Sequence, residues 1–282
     1  MRKQRHRYEY KVRPNTTGAK VVRMAGKGKR ILELGPGPGS ITQLLRRNSC
    51  HITALENDAE AIDIVSPYCD AIHQCDLNSA DWDKVLEESD RFEVIVAADV
   101  LEHLYDPWTL LKKLHPLLTN DGRVIASLPN AGHNAVISCL LTNDFEYRPS
   151  GLLDRTHIRF FGIRNIQEMF QNAGFKIVEA DFVFAVPEKT EFAARWRDLP
   201  SEVRQALLIN RFGSVYQVVV NAVRESSPEE GIDLDLIEVP PMFRSNDIAA
   251  RSRRTLGDAV SFLGSRMREG VSRLLGRMGR MP

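Results

Sequence analysis

A glycine-rich segment between a predicted strand and a predicted helix constrains the fold of this chain more than any other feature. Ile31, Leu32 and Leu34 form a short apolar run typical of a buried parallel strand, and the chain continues as Gly-Pro-Gly-Pro-Gly over residues 35–39. Glycines at alternate positions let the backbone turn tightly and leave room for a ligand. A helix predicted over residues 40–47 would direct free backbone N–H groups to the carboxyl end of the strand, where open α/β sheets bind ligands. The segment therefore predicts a nucleotide-like ligand at the edge of an α/β sheet.

The spacing of the glycines helps to identify the class of ligand. A dinucleotide-binding loop has the pattern G-x-G-x-x-G, whereas here the third glycine comes one residue early, at Gly39, and Ser40 takes its place. Glu33, two residues before Gly35, is predicted to face the loop and could hold an ammonium group, which a pyrophosphate-binding loop would not accommodate. An ordinary strand, turn and helix without a ligand is the other alternative, but five consecutive glycines and prolines serve no packing purpose. The dinucleotide interpretation is therefore weakened.

Acidic residues end the next two predicted strands. Residues 51–56 form a strand ending at Glu56, about twenty residues beyond the loop, where a carboxylate can accept hydrogen bonds from both hydroxyls of a ribose. A helix with an N-capping aspartate is predicted over 58–65, and a short strand over 71–77 contains Asp76 near its end. Alone, Asp76 would be a turn residue, but its position in register after Glu56 favours a role in ligand binding.

The chain up to residue 224 continues to alternate predicted strands and helices. Four more strands are expected, over residues 92–98, 123–128, 175–184 and 214–223. Further helices are expected over residues 108–118, 163–173 and 200–208, with a turn at 120–122. This alternation is typical of an α/β domain.

Three stretches of the sequence resemble one enzyme family. The E-x-G-x-G-x-G pattern from Glu33 to Gly39 resembles the class I S-adenosylmethionine-dependent methyltransferases. D-V-L-E-H-L from Asp99, through L-P-N ending at Asn130, is similar to the ubiquinone-biosynthesis O-methyltransferase group. Residues 151–161 (G-L-L-D-R-T-H-I-R-F-F) are similar to a bacterial branch of that group found beside polysaccharide-assembly genes. The resemblance implies a doubly wound, seven-stranded, mostly parallel α/β sheet with helices on both faces and an antiparallel last strand.

The resemblance also implies which residues hold the methyl donor, S-adenosylmethionine. The expected cofactor-binding residues are Glu33, Gly35, Gly37, Gly39, Glu56, Asp76, Leu77 and Asp99, with Asp76 beside the adenine. A hydroxyl acceptor profits from a general base, and the pKa of histidine lies near neutrality. The candidate catalytic residues on the acceptor side are His103, His157 and His133, each of which has a structural, hydrogen-bonded role as its alternative.

Three functions stay open at this point. The sequence is interpreted as that of an enzyme which methylates a small-molecule acceptor, an oxygen of a sugar or glycan precursor. A first alternative is a non-catalytic module that binds the cofactor and serves as a scaffold in a glycan-assembly complex. A second is an RNA methyltransferase, but residues 98–101 read Ala-Asp-Val-Leu where the ribosomal RNA adenine dimethyltransferases carry an N-P-P-[FY]-type tetrapeptide. That difference argues against a nucleic-acid partner.

Composition and charge predict one domain with an extension at each end. The 282 residues contain a single alternating set of strands and helices, which places the methyltransferase domain at 20–224. The net charge of +1 conceals a basic arm over 1–19, an acidic then polar linker over 225–252 and a basic tail over 253–282. Apolar residues in the tail recur every three or four positions. This pattern predicts an amphipathic helix that orders on an anionic membrane surface or a partner protein, with a solvated tail as the alternative.

Hydropathy and cysteine spacing predict a cytoplasmic protein, at most peripheral to the inner face of a membrane. No apolar stretch reaches membrane-spanning length, and no signal peptide precedes the basic N-terminus. The cysteines lack C-x-x-C spacing, which favours reduced thiols over zinc or disulfides at Cys50, Cys69, Cys75 and Cys139. No metal site is expected.

Overall fold

The computed structural model of the chain describes residues 15–239. Its strands are β1 (Arg30–Leu34), β2 (His51–Glu56), β3 (Ala71–Gln74), β4 (Phe92–Ala98), β5 (Leu118–Pro129), β6 (Phe175–Phe184) and β7 (Val215–Arg224). Its α-helices are α1 (Thr17–Ala25), α2 (Ser40–Arg47), α3 (Ala59–Val65), α4 (Pro107–Lys113), α5 (Asn134–Leu141), α6 (Ile163–Asn172), α7 (Ala193–Asp198) and α8 (Ser201–Leu207). Within this part of the chain, no helix has the length and hydropathy needed to cross a membrane. The tail helix expected over 253–282 lies outside the described residues.

The strands form one sheet in the order β3-β2-β1-β4-β5-β7-β6. β1 pairs in parallel with β2 and with β4, whereas β7 runs antiparallel to both β5 and β6. The doubly wound, mostly parallel sheet with an antiparallel last strand is therefore confirmed. The chain builds outward from β1 to β3 and then continues with β4 on the other side of β1. The end of β1 is thus the switch point at which such sheets bind ligands.

Side chains of β1 alternate between two hydrophobic clusters, one on each face of the sheet. Leu32 and Leu34 pack into the larger cluster, together with apolar residues of α4 and α6. Ile31 packs into the second cluster, which includes Val21 of α1 and Leu45 of α2. Because successive residues of a strand point to opposite faces, Glu33 shares the face of Ile31 and lies on the side of α2.

The end of the fourth helix was predicted wrongly. The expected helix over 108–118 stops at Lys113, and Leu118 already pairs with Phe92 in the sheet. Pro116 explains the early end, because proline lacks an N–H group and disfavours helical geometry at the residue before it. The turn expected at 120–122 is an irregularity inside β5, where the pairing with β4 shifts register. β3 also ends earlier than expected, at Gln74.

The folded domain includes residues 225–239, which the sequence analysis placed in a linker. The N–H of Ile232 donates to the carbonyl of Ile177 at 2.7 Å, and Leu234 is fully buried. Asp235 forms an ion pair with Arg164 of α6. Six of its fifteen residues are acidic, and they concealed the apolar residues that anchor the stretch. At the other end, α1 begins at Thr17, inside the stretch expected to be a basic arm.

Candidate functional site

The glycine-rich loop leads from β1 into α2 at the switch point. Gly35, Gly37 and Gly39 have φ angles of 58°, 53° and 82°, a region that residues with a side chain rarely adopt. A Cβ atom on Gly37 would meet no atom within 4 Å, so the loop is open there and a ligand can approach its backbone. Gly39 is the N-cap of α2, which places the helix N-terminus at the loop. The shape of the loop therefore depends on all three glycines.

A Gly39→Ala variant is expected to lose about 2–4 kcal/mol in free energy of unfolding. Its positive φ strains a side chain, and a Cβ atom would lie 2.6 Å from Cγ2 of Val65, closer than packing permits. Gly28→Ala is the matched control, because Gly28 also has a positive φ of 64° but has no atom within 4 Å of the added Cβ. Urea denaturation of both variants measures the difference. Equal losses of stability in the two variants would show that the Val65 side chain moves aside at no cost in free energy.

Glu56 at the end of β2 holds the loop from one side. Its Oε2 accepts the N–H of Gly37 at 2.8 Å, and its Oε1 accepts the N–H groups of Asn57 and Asp58 at 2.8 and 2.9 Å. A carboxylate offers about four acceptor positions, so Glu56 can accept at least one further hydrogen bond from a ligand. The side chain thus fixes Gly37 and remains able to bind a hydroxyl group.

Glu33 is a buried acid with an unpaired oxygen beside the loop. Glu33 is 2% exposed, and its Oε2 has no hydrogen-bond partner. Burial raises the pKa of this carboxyl from 4.5 to about 7, the charge of Glu56 adds to the rise, and the Thr42 hydroxyl opposes it. That hydroxyl approaches the carboxyl without reaching normal hydrogen-bond geometry, since its own oxygen also lacks a partner. The arrangement can accommodate a positively charged ligand group.

A Glu33→Gln variant is expected to gain stability relative to the wild type as the pH rises. The folded-state pKa of Glu33 lies above the unfolded value, so its proton stabilises the fold fully below pH 4.5 and the stabilisation is lost as the pH rises towards 7. Glutamine does not titrate. The difference in free energy of unfolding between variant and wild type should grow by about 3 kcal/mol between pH 4 and pH 8. Urea denaturation across that range measures it, and a pH-independent difference would contradict the raised pKa.

Asp99, directly after β4, is held by residues from two other strands. Its Oδ1 accepts hydrogen bonds from the Ser127 hydroxyl at 2.6 Å and from the Gln217 side chain at 2.9 Å. The hydroxyl of Thr17 in turn donates to Gln217, which brings α1 to the same place. Asp99 is exposed on one side, yet protein atoms crowd its carboxyl and raise its pKa through desolvation. The sequence analysis missed Ser127 and Gln217.

Asp76 and Leu77 lie at the end of β3, beyond its last paired residue. Oδ1 of Asp76 accepts the N–H of Asn78 at 2.9 Å, a typical turn-forming contact, and the residue is exposed. Leu77 is partly buried against the larger hydrophobic cluster. Asp76 therefore has the local structure of a turn residue, and its contact with the adenine stays a prediction.

Two of the predicted histidines meet beyond the end of β4. The ring centroids of His103 and His157 are 4.7 Å apart with the rings edge to face. Nδ1 of His103 lies 3.1 Å from the carbonyl oxygen of Thr156, and Nδ1 of His157 lies 3.4 Å from that of Leu152. Since a carbonyl only accepts, we assign the ring proton to Nδ1 in both residues, which leaves each Nε2 with a free lone pair.

Glu102 joins this pair, and the sequence analysis did not select it. Glu102 is 1% exposed, and neither of its carboxylate oxygens has a hydrogen-bond partner. Its Oε1 lies 3.9 Å from Nε2 of His157. Burial, followed by the charges of Asp99 and Asp154, raises the pKa of Glu102 well above its ordinary value. The signal in the sequence was a charged residue in the apolar run Val-Leu-Glu-His-Leu. A buried, unpaired carboxyl with such a shift is typical of a functional site.

Backbone hydrogen bonds bring the two halves of this cluster together. The carbonyl of Glu102 accepts the N–H groups of Ile158 and Arg159 at 2.9 and 3.0 Å, which ties the 151–161 segment to the end of β4. His157 is thereby buried against His103. Burial and the neighbouring His103 lower the pKa of His157 to about 4, so its ring is neutral at physiological pH.

His133 has a structural role in this fold. Its ring is fully buried, Nε2 lies 2.8 Å from the carbonyl oxygen of Ala185, and Nδ1 accepts the N–H of Ala135 as the N-cap of α5. Burial lowers its pKa to about 4. Because both nitrogens are engaged with backbone groups, neither is available to an acceptor.

An aromatic group adjoins the histidine pair. The ring of Phe160 lies 6.4 Å from that of His157, and Phe145 contacts both Phe160 and Tyr147 with centroids 5.2 Å apart. Tyr147 is 59% exposed and Phe160 is 38% exposed. These rings offer an apolar surface beside the ring of His157.

The comparison with known families decides the class of the protein. Residues 2–180 match the family model described as a methyltransferase domain. The chain belongs to this family. The methyltransferase is similar to two ubiquinone biosynthesis O-methyltransferases, that of Coxiella burnetii (22% identical over 170 residues, 59% of this chain and 71% of the relative) and that of Aeromonas salmonicida (24% over 171 residues, 58% and 70%).

Solved structures show the same fold at low sequence identity. A putative methyltransferase from Bacillus halodurans C-125 matches with a TM-score of 0.52 at 16% identity, covering 75% of this chain and 99% of that one. A SAM-dependent methyltransferase from Archaeoglobus fulgidus matches with a TM-score of 0.51 at 15% identity, covering 73% and 91%. The methyltransferase therefore has the class I fold. Its membership of the methyltransferase family gives S-adenosylmethionine as its cofactor.

Proposed function

We propose that this methyltransferase transfers the methyl group to a hydroxyl oxygen of a small-molecule acceptor, a sugar or glycan precursor. The observation that carries the proposal is the position of His103 and His157. Their rings are in contact beyond the end of β4, and each ring is assigned a free lone pair on Nε2. β4 pairs directly with β1, whose end carries the glycine-rich loop. The proposed donor and acceptor sites are thus adjacent on one edge of the sheet. The similarity to proteins named as O-methyltransferases supports an oxygen acceptor.

The residues around the loop fit S-adenosylmethionine. The unpaired oxygen of Glu33 suits its ammonium group, and the open side of Gly37 permits close approach to the backbone. Glu56 can accept a hydrogen bond from a ribose hydroxyl, and we propose that Asp99 and Asp76 flank the amino-acid end and the adenine. The bound cofactor supplies a methyl group on a positively charged sulfur. The loop, Glu33 and Glu56 would hold the cofactor in place for the transfer.

His103 is the side chain that we propose to take the proton of the acceptor hydroxyl. Its Nδ1 faces the Thr156 carbonyl, so Nε2 is the unprotonated nitrogen, and the residue is only partly buried. Nε2 would accept the hydroxyl proton as the acceptor oxygen takes the methyl group that the bound cofactor would supply. Positioning the two reactants supplies most of the rate, and the base adds to it.

The aromatic group formed by Phe145, Tyr147 and Phe160 supports a ring-shaped acceptor. Aromatic side chains present an apolar face that packs against the apolar face of a ring. The exposed ring of Tyr147 is available for such contact. Tyr147→Ala should therefore raise KM for the acceptor more than it lowers kcat. Val85→Ala is the control: Val85 is an apolar residue before β4 that is 42% exposed, and its substitution should change neither.

A screen of acceptors with methyl-labelled S-adenosylmethionine tests the proposal. The panel contains nucleotide sugars and sugar phosphates on one side and phenols on the other. We expect labelled sugars in which NMR places the new methyl group on oxygen. Labelling of phenols alone would contradict the sugar acceptor. Labelling of neither class by a protein that binds the cofactor would contradict catalysis on these acceptors and favour the scaffold alternative.

A further inference from the structure

We infer that Glu191 and Tyr216 are positioning residues, which hold the first half of the 151–161 segment so that the ring of His157 keeps its place against His103. Glu191 lies in the connection between β6 and β7, and Tyr216 is the second residue of β7. The sequence analysis selected neither residue. Their role rests on the proposed function where turnover is concerned, whereas their effect on the ring of His157 is independent of it.

The carboxylate of Glu191 bridges the 151–161 segment and the sheet. Its Oε1 accepts the N–H of Leu152 at 2.7 Å. The hydroxyl of Tyr216 donates to both carboxylate oxygens, at 3.1 Å each. Hydrogen bonds to a carboxylate are shorter and stronger than those between neutral groups. Because Tyr216 is a residue of β7, this bridge ties the first half of the segment to the sheet.

Leu152 connects Glu191 to His157 through its own backbone groups. Its N–H donates to Glu191, and its carbonyl oxygen lies 3.4 Å from Nδ1 of His157. The hydrogen bond at one nitrogen of a histidine determines which nitrogen carries the proton. The ring of His157 in turn packs edge to face against that of His103, with centroids 4.7 Å apart. A displacement of Leu152 would therefore release the proton on Nδ1 of His157 and free the ring to rotate.

Gly151 allows the carboxylate to come this close to the backbone. Its φ angle is 96°, which a residue with a side chain rarely adopts. A Cβ atom at this position would overlap with Oε1 of Glu191 and lie 3.0 Å from the hydroxyl oxygen of Tyr216. The backbone at the start of the segment is thus in direct contact with the bridge, which leaves it little freedom to shift.

A third hydrophobic cluster, separate from the two that flank the sheet, surrounds the bridge. Leu152, Leu153 and Phe192 are buried in this cluster with apolar residues of α5, and Tyr216 packs against it. Phe192 directly follows Glu191, so its burial fixes the backbone from which the carboxylate extends. Removal of the carboxylate would leave the N–H of a buried leucine without this partner, which is costly in free energy.

The second half of the segment is held by contacts that do not involve Glu191. The carbonyl of Glu102 accepts two N–H groups from it, and the carbonyl of Phe161 accepts the N–H of Ala131 at 2.9 Å. The carbonyl of Thr156, which faces Nδ1 of His103, adjoins this anchored half. Loss of Glu191 should therefore loosen the first half of the segment and leave the rest of the fold in place.

Nitrogen-15 NMR of the histidine rings in the full chain tests the inference without any acceptor. The ring of His157 is neutral near pH 7 because burial lowers its pKa to about 4, and its signals are assigned by comparison with His157→Ala. In the wild type we expect the proton on Nδ1. Glu191→Ala should give a mixture of the two tautomers. Glu191→Gln should keep the Nδ1 form, because its amide oxygen still accepts the N–H of Leu152.

Glu188→Ala is the matched control for Glu191→Ala. Glu188 lies three residues earlier in the same connection, and its Oε1 accepts the indole N–H of Trp196 at 2.8 Å. This variant also removes a carboxylate that accepts a hydrogen bond, but the bond leads to α7 and not to the 151–161 segment. The tautomer of His157 and the turnover should therefore stay at their wild-type values.

Steady-state kinetics with the acceptor found in the screen measures the consequence for turnover. Glu191→Ala should lower kcat by about 10–100-fold and leave the affinity for S-adenosylhomocysteine unchanged, since a small misplacement of a group in the site has an effect of this size. Tyr216→Phe, which removes one hydroxyl and keeps the ring, should lower kcat by less. In a His157→Ala background, Glu191→Ala should have no further effect, because it acts through that ring.

The outcomes separate the positioning role from the proposed function. An unchanged tautomer of His157 in Glu191→Ala would overturn the inference, and so would an undiminished further loss of kcat in the His157→Ala background. Equal losses of kcat and of S-adenosylhomocysteine affinity would assign Glu191 a general structural role and also overturn it. If Glu191→Ala does not fold, Tyr216→Phe decides in the same way by the tautomer of His157. A wild type that methylates no acceptor would contradict the proposed function, whereas a tautomer change in Glu191→Ala would still support the positioning of His157.

Discussion

A Glu56→Ala variant is expected to bind S-adenosylhomocysteine about 10²–10³-fold more weakly than the wild type. Hydrogen bonds to a charged group contribute about 1.5–3 kcal/mol each, and the variant loses those that Glu56 is proposed to make to the ribose. It also loses the hydrogen bond that the N–H of Gly37 donates to Oε2 of Glu56 at 2.8 Å, and this bond fixes the loop. Isothermal titration calorimetry measures the dissociation constants of wild type and variant.

The control for this variant is Asp63→Ala. Asp63 is an exposed acid on α3, close in sequence to Glu56 but outside the loop, so its loss removes one negative charge without touching the proposed site. We expect its affinity for S-adenosylhomocysteine to equal that of the wild type. If Glu56→Ala also binds with unchanged affinity while remaining folded, Glu56 is not a ligand of the cofactor.

A His103→Ala variant is expected to lower kcat by about 10²–10⁴-fold and to leave S-adenosylhomocysteine binding unchanged. The loss reflects the missing Nε2 atom at the acceptor hydroxyl, and its size follows from the usual contribution of a general base. His157→Ala should lower kcat as well, because its ring packs edge to face against that of His103 and both rings lie next to the buried Glu102. Steady-state kinetics with the acceptor found in the screen, together with calorimetry, separates the two effects.

His51→Ala serves as the control for both histidine variants. Its exposed side chain lies at the opposite end of the strands from the loop, so turnover and binding should stay at wild-type values. A full kcat in His103→Ala would remove this residue from the acceptor site. A loss of cofactor affinity equal to the loss of kcat would instead assign His103 to the donor side.

Local sequence patterns were sufficient for the fold and for the local geometry of the glycine-rich loop. The run Ile-Leu-Glu-Leu followed by alternate glycines specifies a strand, a turn with positive φ and a helix N-terminus within residues 30–47. Asp58 caps α3 as predicted, since capping depends on neighbours in the chain. Each of these features is determined by contacts between residues that are close in sequence.

Residues brought together by distant strands could not be predicted in the same way. Gln217 reaches Asp99 only because β7 runs antiparallel beside β5 with a register that pairs Gln217 with Pro129. Glu102 gains its importance from burial under the 151–161 segment, which the carbonyl of Glu102 itself holds in place. Hydropathy and spacing along the chain carry no information about such pairings.

His133 shows why a sequence pattern alone does not separate a catalytic histidine from a structural one. A polar residue in a loop after a central strand is typical of a site, and the sequence analysis selected it for that reason. Both of its nitrogens bind backbone groups of Ala135 and Ala185, and the latter belongs to a segment after β6. A histidine of this kind is distinguished from a functional one only when its distant partners are known.

Calorimetric titration of the wild-type chain with S-adenosylmethionine and S-adenosylhomocysteine tests the central claim most directly. The glycine-rich loop, the unpaired oxygen of Glu33 and the free acceptor capacity of Glu56 together predict one binding site per chain, with a dissociation constant in the micromolar range, about −8 kcal/mol. Because Glu33 is partly protonated near neutral pH and the ligand is proposed to place an ammonium group beside it, binding near pH 6.5 should release protons to the buffer. Binding of either ligand with this stoichiometry and proton release would agree with the account. No detectable binding at millimolar ligand would contradict it.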